Sequence, residues 1–312
     1  MLTKILNYLF LKIKKNGLLF ALIALMIITG ILNPRFATAS NFINILRQSA
    51  INVLLAAGTV FVISHGEIDL SIGSVLALAG VIAAGMAVKY STLFGIFLAL
   101  VYGITVGFFN GCIVNYILLP SFMVTLATMT IMRGFSYVYT QGVAITGLPQ
   151  SFVYLGNGKI GPIPVIIIFA LVIIIFLDIL LRQTKFGRYT RAIGDNREAA
   201  RLTGIQVKKH SILVFILNGL LASIAGILLT SRIISGHPGV GSGYELNAIA
   251  AVVIGGGSLK GGVGSVYGAT LGAFFMTTLS NALNLLNVSS FWQMIIVGLV
   301  IIIAISTERF RK

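Results

Sequence analysis

The chain reads as a succession of apolar runs, most close to the length of a membrane-crossing helix, separated by short polar breaks. A helix needs about 20 mostly apolar residues to cross the hydrocarbon layer of a bilayer. On that measure the pattern predicts ten spans, at 18–33, 49–65, 71–88, 92–118, 121–140, 162–181, 211–231, 241–257, 265–285 and 291–306. The second and the eighth are short or rich in glycine, and each is also open to reading as a re-entrant segment.

Polar residues interrupt this pattern most sharply in GEIDLSIGSVLALAG, residues 66–80, where Glu67 and Asp69 stand beside an apolar run. The whole chain has only seven acidic residues. Asp69 and Ser71 suit the start of a helix running from about 72 to 88, because short polar side chains and negative charge both favour a helix N-terminus. The same residues, with Gly73, also suit a broken helix whose backbone lines a solvated pathway. Irregular backbone at membrane depth is tolerated only there or in protein contacts. Both readings stand on the sequence.

A second interruption is the long polar stretch 182–210. Within it Asp195 can cap a helix of about eight residues, with Glu198 reaching back as in a capping box. Ala199, Ala200, Arg201 and Leu202 favour helix, and Gly204 stands where a left-handed residue ends one. A helix that short is marginal in water and implies docking on something else.

Composition fixes the class. The chain is 57% hydrophobic and 9% charged, with mean hydropathy +1.03, against roughly 25% charged residues in soluble domains. The expected fold is an all-α integral membrane protein, one transmembrane domain over 1–312 with an N-terminal segment 1–17, the loop 182–210 and a tail 307–312. The N-terminal apolar run lacks a convincing cleavage site and reads as a retained first span. Cys112 is the single cysteine, so no disulfide framework or cysteine metal site exists. His65, His210 and His237 are scattered without ligand spacing.

The net charge of +15 points to orientation rather than nucleic acid. Lys and Arg concentrate on cytoplasmic loops. With ten crossings and both termini inside, sixteen basic residues fall in the cytoplasm, among them Lys4, Lys12, Lys14, Lys15, eight in 182–210, and Arg309, Arg311 and Lys312. Arg35, Arg47, Lys89, Lys159 and Arg232 fall outside, and Arg133 lies within a span. An internal repeat accompanies the count: VISHGEIDLSIGSV (62–75) lies over VIGGGSLKGGVGSV (253–266) without a gap, as duplicated halves do in many transporters.

Several single residues carry two readings. Arg133 either lines a path or locks helices, unless its span slides to bring it to the outer interface. Asn281, Asn284 and Asn287 can hydrogen-bond a sugar or bridge helices. Asp178 and Arg182 have the spacing of a helical ion pair. Ser242 and Glu245 have the spacing of a capping box. No catalytic constellation is present, and no phosphate-binding loop: GNGKIG at 156–161 lacks the hydroxyl residue and the upstream glycine. GGGSLKGGVG at 255–264 reads as a flexible turn. The chain is not expected to be an enzyme, and its energy source lies elsewhere.

Glu198-Ala199-Ala200 with Gly204 matches the EAA–glycine motif of permease subunits of ATP-binding cassette importers. GRYTRAIGDNREAARLTGI, GEIDLSIGS and GYELNAIAAVVIGGGSLKGGVGS together resemble the branch that imports ribose and related monosaccharides. The likeness covers roughly 45 to 306. It implies a bacterial cytoplasmic-membrane permease dimer, served by a separate ATPase that uses ATP and Mg and by an external sugar-binding protein. The resemblance makes Gly187, Arg188, Gly194, Asp195, Asn196, Glu198, Ala199, Ala200 and Gly204 the segment that couples to the ATPase. His65 and Glu67 stand where small residues, usually glycine, are expected, while Asp69 keeps the pattern. A proton-coupled secondary transporter using Glu67 or Asp69 is the alternative; it explains the carboxylates but not the capped helix.

Overall fold

In lipid the backbone has no water to bond, so an apolar segment satisfies its N–H and C=O groups by winding into a helix. The computed structural model describes the backbone of residues 2–309 and the side chains of 17–306. The basic side chains of Lys4, Lys12, Lys14, Lys15, Arg309, Arg311 and Lys312 lie outside those described.

The first half comprises α1 (Leu2–Leu32), a 3₁₀ turn (Pro34–Ala37), α2 (Ala39–Ser64), α3 (Ile72–Lys89), α4 (Thr92–Cys112) running into a π-helical turn (Ile113–Ile117), and α5 (Ser121–Thr140). A short α6 (Gln150–Asn157) and a two-residue antiparallel hairpin, β1 (Lys159–Ile160) and β2 (Ile163–Pro164), lead to α7 (Val165–Gln183). The polar stretch forms α8 (Lys185–Asp195) and α9 (Arg197–Leu202). Then follow α10 (Val207–Ile233), α11 (Tyr244–Ile254), α12 (Val266–Leu285) and α13 (Ser290–Arg309).

Among the described residues five helical runs are long and apolar enough to cross a membrane: 39–64, 72–89, 92–117, 165–183 and 207–233. The chain is an all-α membrane protein, but helix length and apolarity do not by themselves yield ten crossings. The expected second span is a full helix of 26 residues that begins at 39 rather than 49. The expected eighth span, 241–257, contains only the 11-residue α11, because the chain on both sides of it is not helical. α5 and α12 each have 20 residues, yet carry polar side chains whose use becomes clear below.

Helix α10 occupies the middle of the bundle, against α2, α3 and α4. Its contact with α4 depends on small residues. A Cβ at Gly103, Gly107 or Gly111 would collide with the backbone or short side chains of α10, at Gly219 and Ser223, at Phe215 and Ile216, and at Ile212. Such rows let two helices approach closely where burying apolar surface gives no advantage over lipid. The largest buried cluster joins α2 residues such as Phe61 to Leu177, Phe215, Val252 and Val266.

The internal repeat is visible as structure. Residues 62–75 form the end of α2, a loop and the start of α3; residues 253–266 form the end of α11, a loop and the start of α12. The two loops meet, with Gly262 N–H donating to the Ser64 carbonyl at 2.9 Å.

Candidate functional site

The loop between α2 and α3 begins as an ordinary helix stop. Gly66 adopts φ +85°, its N–H donates to Ile63 O at 2.9 Å and that of Glu67 to Val62 O at 3.1 Å. This is the pattern of a helix terminated by a left-handed glycine. Beyond it the backbone has no helical partner. Ile68 N–H donates to Ser121 Oγ and Leu70 N–H to Thr125 Oγ1, each at 3.0 Å. Both acceptors lie in the first turns of α5.

Asp69 sits at the centre of this stretch and is 2% exposed. Its Oδ1 accepts from Ser71 N at 2.9 Å and Ser71 Oγ at 2.6 Å, and its Oδ2 accepts from Asn218 Nδ2 at 2.9 Å. Asn110 Nδ2 donates to Ser71 Oγ at 3.1 Å, and Thr128 Oγ1 donates to Asn110 Oδ1 at 2.6 Å. One buried chain of hydrogen bonds thus joins the loop to α4, α5 and α10. Asn218 lies eleven residues beyond the start of α10, about 16 Å along a helix axis. The network is therefore well inside the apolar bundle. Ser71 occupies the N-cap position of α3 but makes no side-chain cap bond, and Asp69 bonds within the loop instead of capping the helix. The helix is broken here and the cap does not form.

A second non-helical stretch, 234–243, leads from α10 to α11. Arg133 Nη1 donates to Pro238 O at 3.1 Å and Val240 O at 2.6 Å, and Ser136 Oγ donates to Pro238 O at 3.3 Å. Arg133 is a lock on this backbone. The N-cap of α11 is Gly243, not Ser242, and Glu245 Oε1 accepts the Gly243 N–H at 3.1 Å, so only the backward half of the expected box forms. The two breaks touch: a Cβ on Gly73 would run into the Glu245 carboxylate and the Gly241 carbonyl. Asn281 and Asn284 are not part of this site. Asn281 exchanges two 3.0 Å amide bonds with Asn41 at the start of α2, and Asn284 Oδ1 accepts from Gln293 at 2.9 Å. Asn287 closes the end of α12, at φ +56°.

In the polar stretch 182–210, Asp178 pairs with Arg182 at 3.0 Å as the spacing predicts. The single capped helix expected after it is two. Asp195 is the last residue of α8, and Asn196, with extended backbone at φ −152°, caps α9 by accepting from Ala199 N at 2.9 Å. Glu198 does not reach back to the cap; it bonds Arg201 on the exposed face, and those hydrogen bonds hold its carboxyl below the usual range. The adjacent asparagine has a side-chain oxygen able to make the same bond, and α8 winds one residue too far for Asp195 to serve. α9 has six residues, about 9 Å, with Ala200 buried against Ile193 and Val207. Gly204 takes φ +86°, as its position after the helix requires.

These two short helices pack under the first break. Gly187 lies against the Leu181 backbone, and Gly194 against the Ser64 carbonyl and the Gly262 amide. Arg188 bonds Gln183 O at 3.3 Å. Arg197, the first residue of α9, donates to Glu67 Oε1 at 2.8 Å and to Asn115 Oδ1 at 2.6 Å. Asn115 in turn holds Ser211 Oγ at 2.7 Å. Asn110, Asn115, Asn218, Ser121 and Thr125 do not stand out in the sequence, yet they carry these bonds. A single amide in an otherwise apolar span, such as Asn218 in 211–231, was the available signal. No group of three or more metal-ligating side chains occurs among the described residues.

Replacing Asp69 separates charge from shape. In Asp69→Asn the amide oxygen keeps the Ser71 bonds and Asn218 flips to accept, so the purified protein is expected to melt within a few degrees of wild type. Asp69→Leu strands buried donors at about 1–3 kcal/mol each and is expected to melt well below it. A melting series in one detergent checks both, and equal melting of the Leu and Asn variants contradicts the network.

The family described as branched-chain amino acid transport system / permease component matches residues 41–305. The ribose import permease protein RbsC of Bacillus subtilis is 44% identical over 95% of this chain and 93% of its own. That of Escherichia coli K12 is 41% identical over 94% and 93%, and the L-arabinose transport system permease protein AraH of the same strain 38% over 95% and 90%. No solved structure matches the chain. Helices that span lipid, two broken segments meeting inside them and a match over nearly the whole length lead to one conclusion: the chain belongs to this family of transport-system permease components.

Proposed function

We propose that this chain forms the translocation pathway of an ATP-driven importer of ribose or a related monosaccharide. The observation that carries this reading is the near full-length identity to permeases named for ribose and L-arabinose. A second permease subunit, a cytoplasmic ATPase consuming ATP and Mg, and an external sugar-binding protein complete the assembly. The chain crosses the bacterial cytoplasmic membrane ten times with both termini inside. The distribution of basic residues supports this orientation, with α11 and the stretch before it together making one broken crossing.

In the mechanism, α8 and α9 dock on the ATPase and move with it. Arg197 carries that motion to Glu67, two residues before Asp69, and the paired breaks around Gly73 rearrange to open one side and then the other. The Arg197–Glu67 pair is partly exposed and contributes on the order of 1 kcal/mol or less to stability, so its part is to transmit rather than to stabilise.

Two measurements test the proposal. Reporters fused at Lys185 and Lys159 are expected on opposite sides of the membrane, Lys185 in the cytoplasm; a cytoplasmic signal at Lys159 contradicts the ten-crossing orientation. Gly204→Val forces a β-branched residue into left-handed backbone at about 1 kcal/mol or more. No atom lies within 4 Å of the added Cβ, so the spans should be undisturbed. The expected result is normal membrane insertion with weak capture of the ATPase and little sugar uptake. Full capture and full uptake would remove the coupling role of this segment. Uptake that survives without the ATPase and fails with the proton gradient would instead favour a secondary transporter.

A further inference from the structure

The end of the bundle remote from α8 and α9 holds a cleft of about 680 Å³ at the start of α2, lined by Arg35, Arg47 and Lys159 together with Asn44, Ile43 and Leu285. None of these three cations forms an ion pair among the described residues. The sequence explains why: residues 1–66 and 70–177 contain no Asp or Glu. Three cations converging on one concavity without a carboxylate repel one another, and Arg47 Nε is in addition buried with no hydrogen-bond partner. The site is short of one anion.

Position and shape say which anion. α2 has 26 residues, about 39 Å, and its far end at Ser64 meets the loop beneath the first break. A hydrocarbon layer is about 30 Å thick, so the cleft stands at headgroup level on the opposite face. Its wall is apolar as well as basic, through Ile43 and Leu285. Close by in the chain, Ile31 and Leu32 at the end of α1 are 77% and 62% exposed and Phe42 is 44% exposed. A ligand with a negative phosphate and attached acyl chains satisfies both kinds of surface. A broad acidic protein surface would meet the rim but would not reach the buried Arg47 Nε.

We infer that Arg35, Arg47 and Lys159 form a binding site for the phosphodiester headgroup of an anionic phospholipid, with its chains lying on α1 and the start of α2. A zwitterionic headgroup brings an ammonium into the same basic cleft and binds less well. Removing a basic residue near an anionic lipid surface weakens binding by about fivefold.

The test uses the full-length chain purified in detergent and offered short-chain phosphatidylglycerol, phosphatidylcholine of equal chain length, or inorganic phosphate, with bound lipid read by native mass spectrometry. Wild type is expected to retain phosphatidylglycerol well above the other two. Arg47→Gln is expected to lower retention about fivefold and Arg35→Gln/Arg47→Gln/Lys159→Gln on the order of a hundredfold. Arg35→Lys/Arg47→Lys and Lys89→Gln, with melting temperatures confirming their fold, are expected to stay near wild type. Equal retention of the two lipids overturns the proposal, as does inorganic phosphate that displaces phosphatidylglycerol at similar concentration. Unchanged lipid retention in the triple variant, with loss of a purified acidic binding protein, assigns the cleft to a protein partner and overturns it equally. This inference does not depend on the transported substrate, so failure here leaves the sugar-import reading intact.

Discussion

The structure depends on one constraint: backbone that leaves the helix inside an apolar bundle must find hydrogen-bond partners there. Two stretches leave it, 65–71 and 234–243, and α5 serves both. Ser121 and Thr125 accept from the first at one end of α5, and Arg133 and Ser136 donate to the second further along. Each unmet buried group would cost about 1–3 kcal/mol, so several together would rival the whole stability of a domain. This requirement also explains why α5 is less apolar than its neighbours. Ser121, Thr125, Arg133 and Ser136 face the breaks, while Phe122, Leu126, Phe135 and Val138 are exposed on the outside of the bundle.

The same requirement gives the buried carboxylate its place. Asp69 offers two oxygens, and three donors from Ser71 and Asn218 fill them. An ionised group is expensive at this depth, so a fully bonded one fixes the loop in register between α4, α5 and α10. The polar chain from Thr128 to Asn218 holds α4, α5 and α10 together, and the small-residue contact reinforces two of them, α4 and α10. In the proposed mechanism, movement applied at Glu67 would enter next to this bonded centre instead of being absorbed by a slack loop.

Much of this was legible in the sequence. Apolar runs located most helices, Gly204 marked the end of α9, and the repeat announced two like loops. What was missed has local physical causes. Asp195 and Asn196 are adjacent and equally able to cap, and only the winding of α8 decides between them. The 241–257 run is apolar enough to suggest a span, but GVGSG at 239–243 leaves the helix and shortens α11 to 11 residues. Asn110, Thr128 and Asn218 are far apart in the chain, and their convergence on Asp69 is a product of topology that periodicity does not carry. Of the two readings open to Asn281 on the sequence, the structure has helix bridging, to Asn41.

Amide hydrogen exchange across 66–71 tests most directly whether α5 holds the first break. Thr125→Val removes the acceptor for Leu70 N–H while keeping side-chain volume. In the purified full-length protein, exchange in 66–71 is predicted to rise at least tenfold in this variant, with the body of α2 unchanged. Exchange in 66–71 that matches wild type would contradict the dependence of the break on α5.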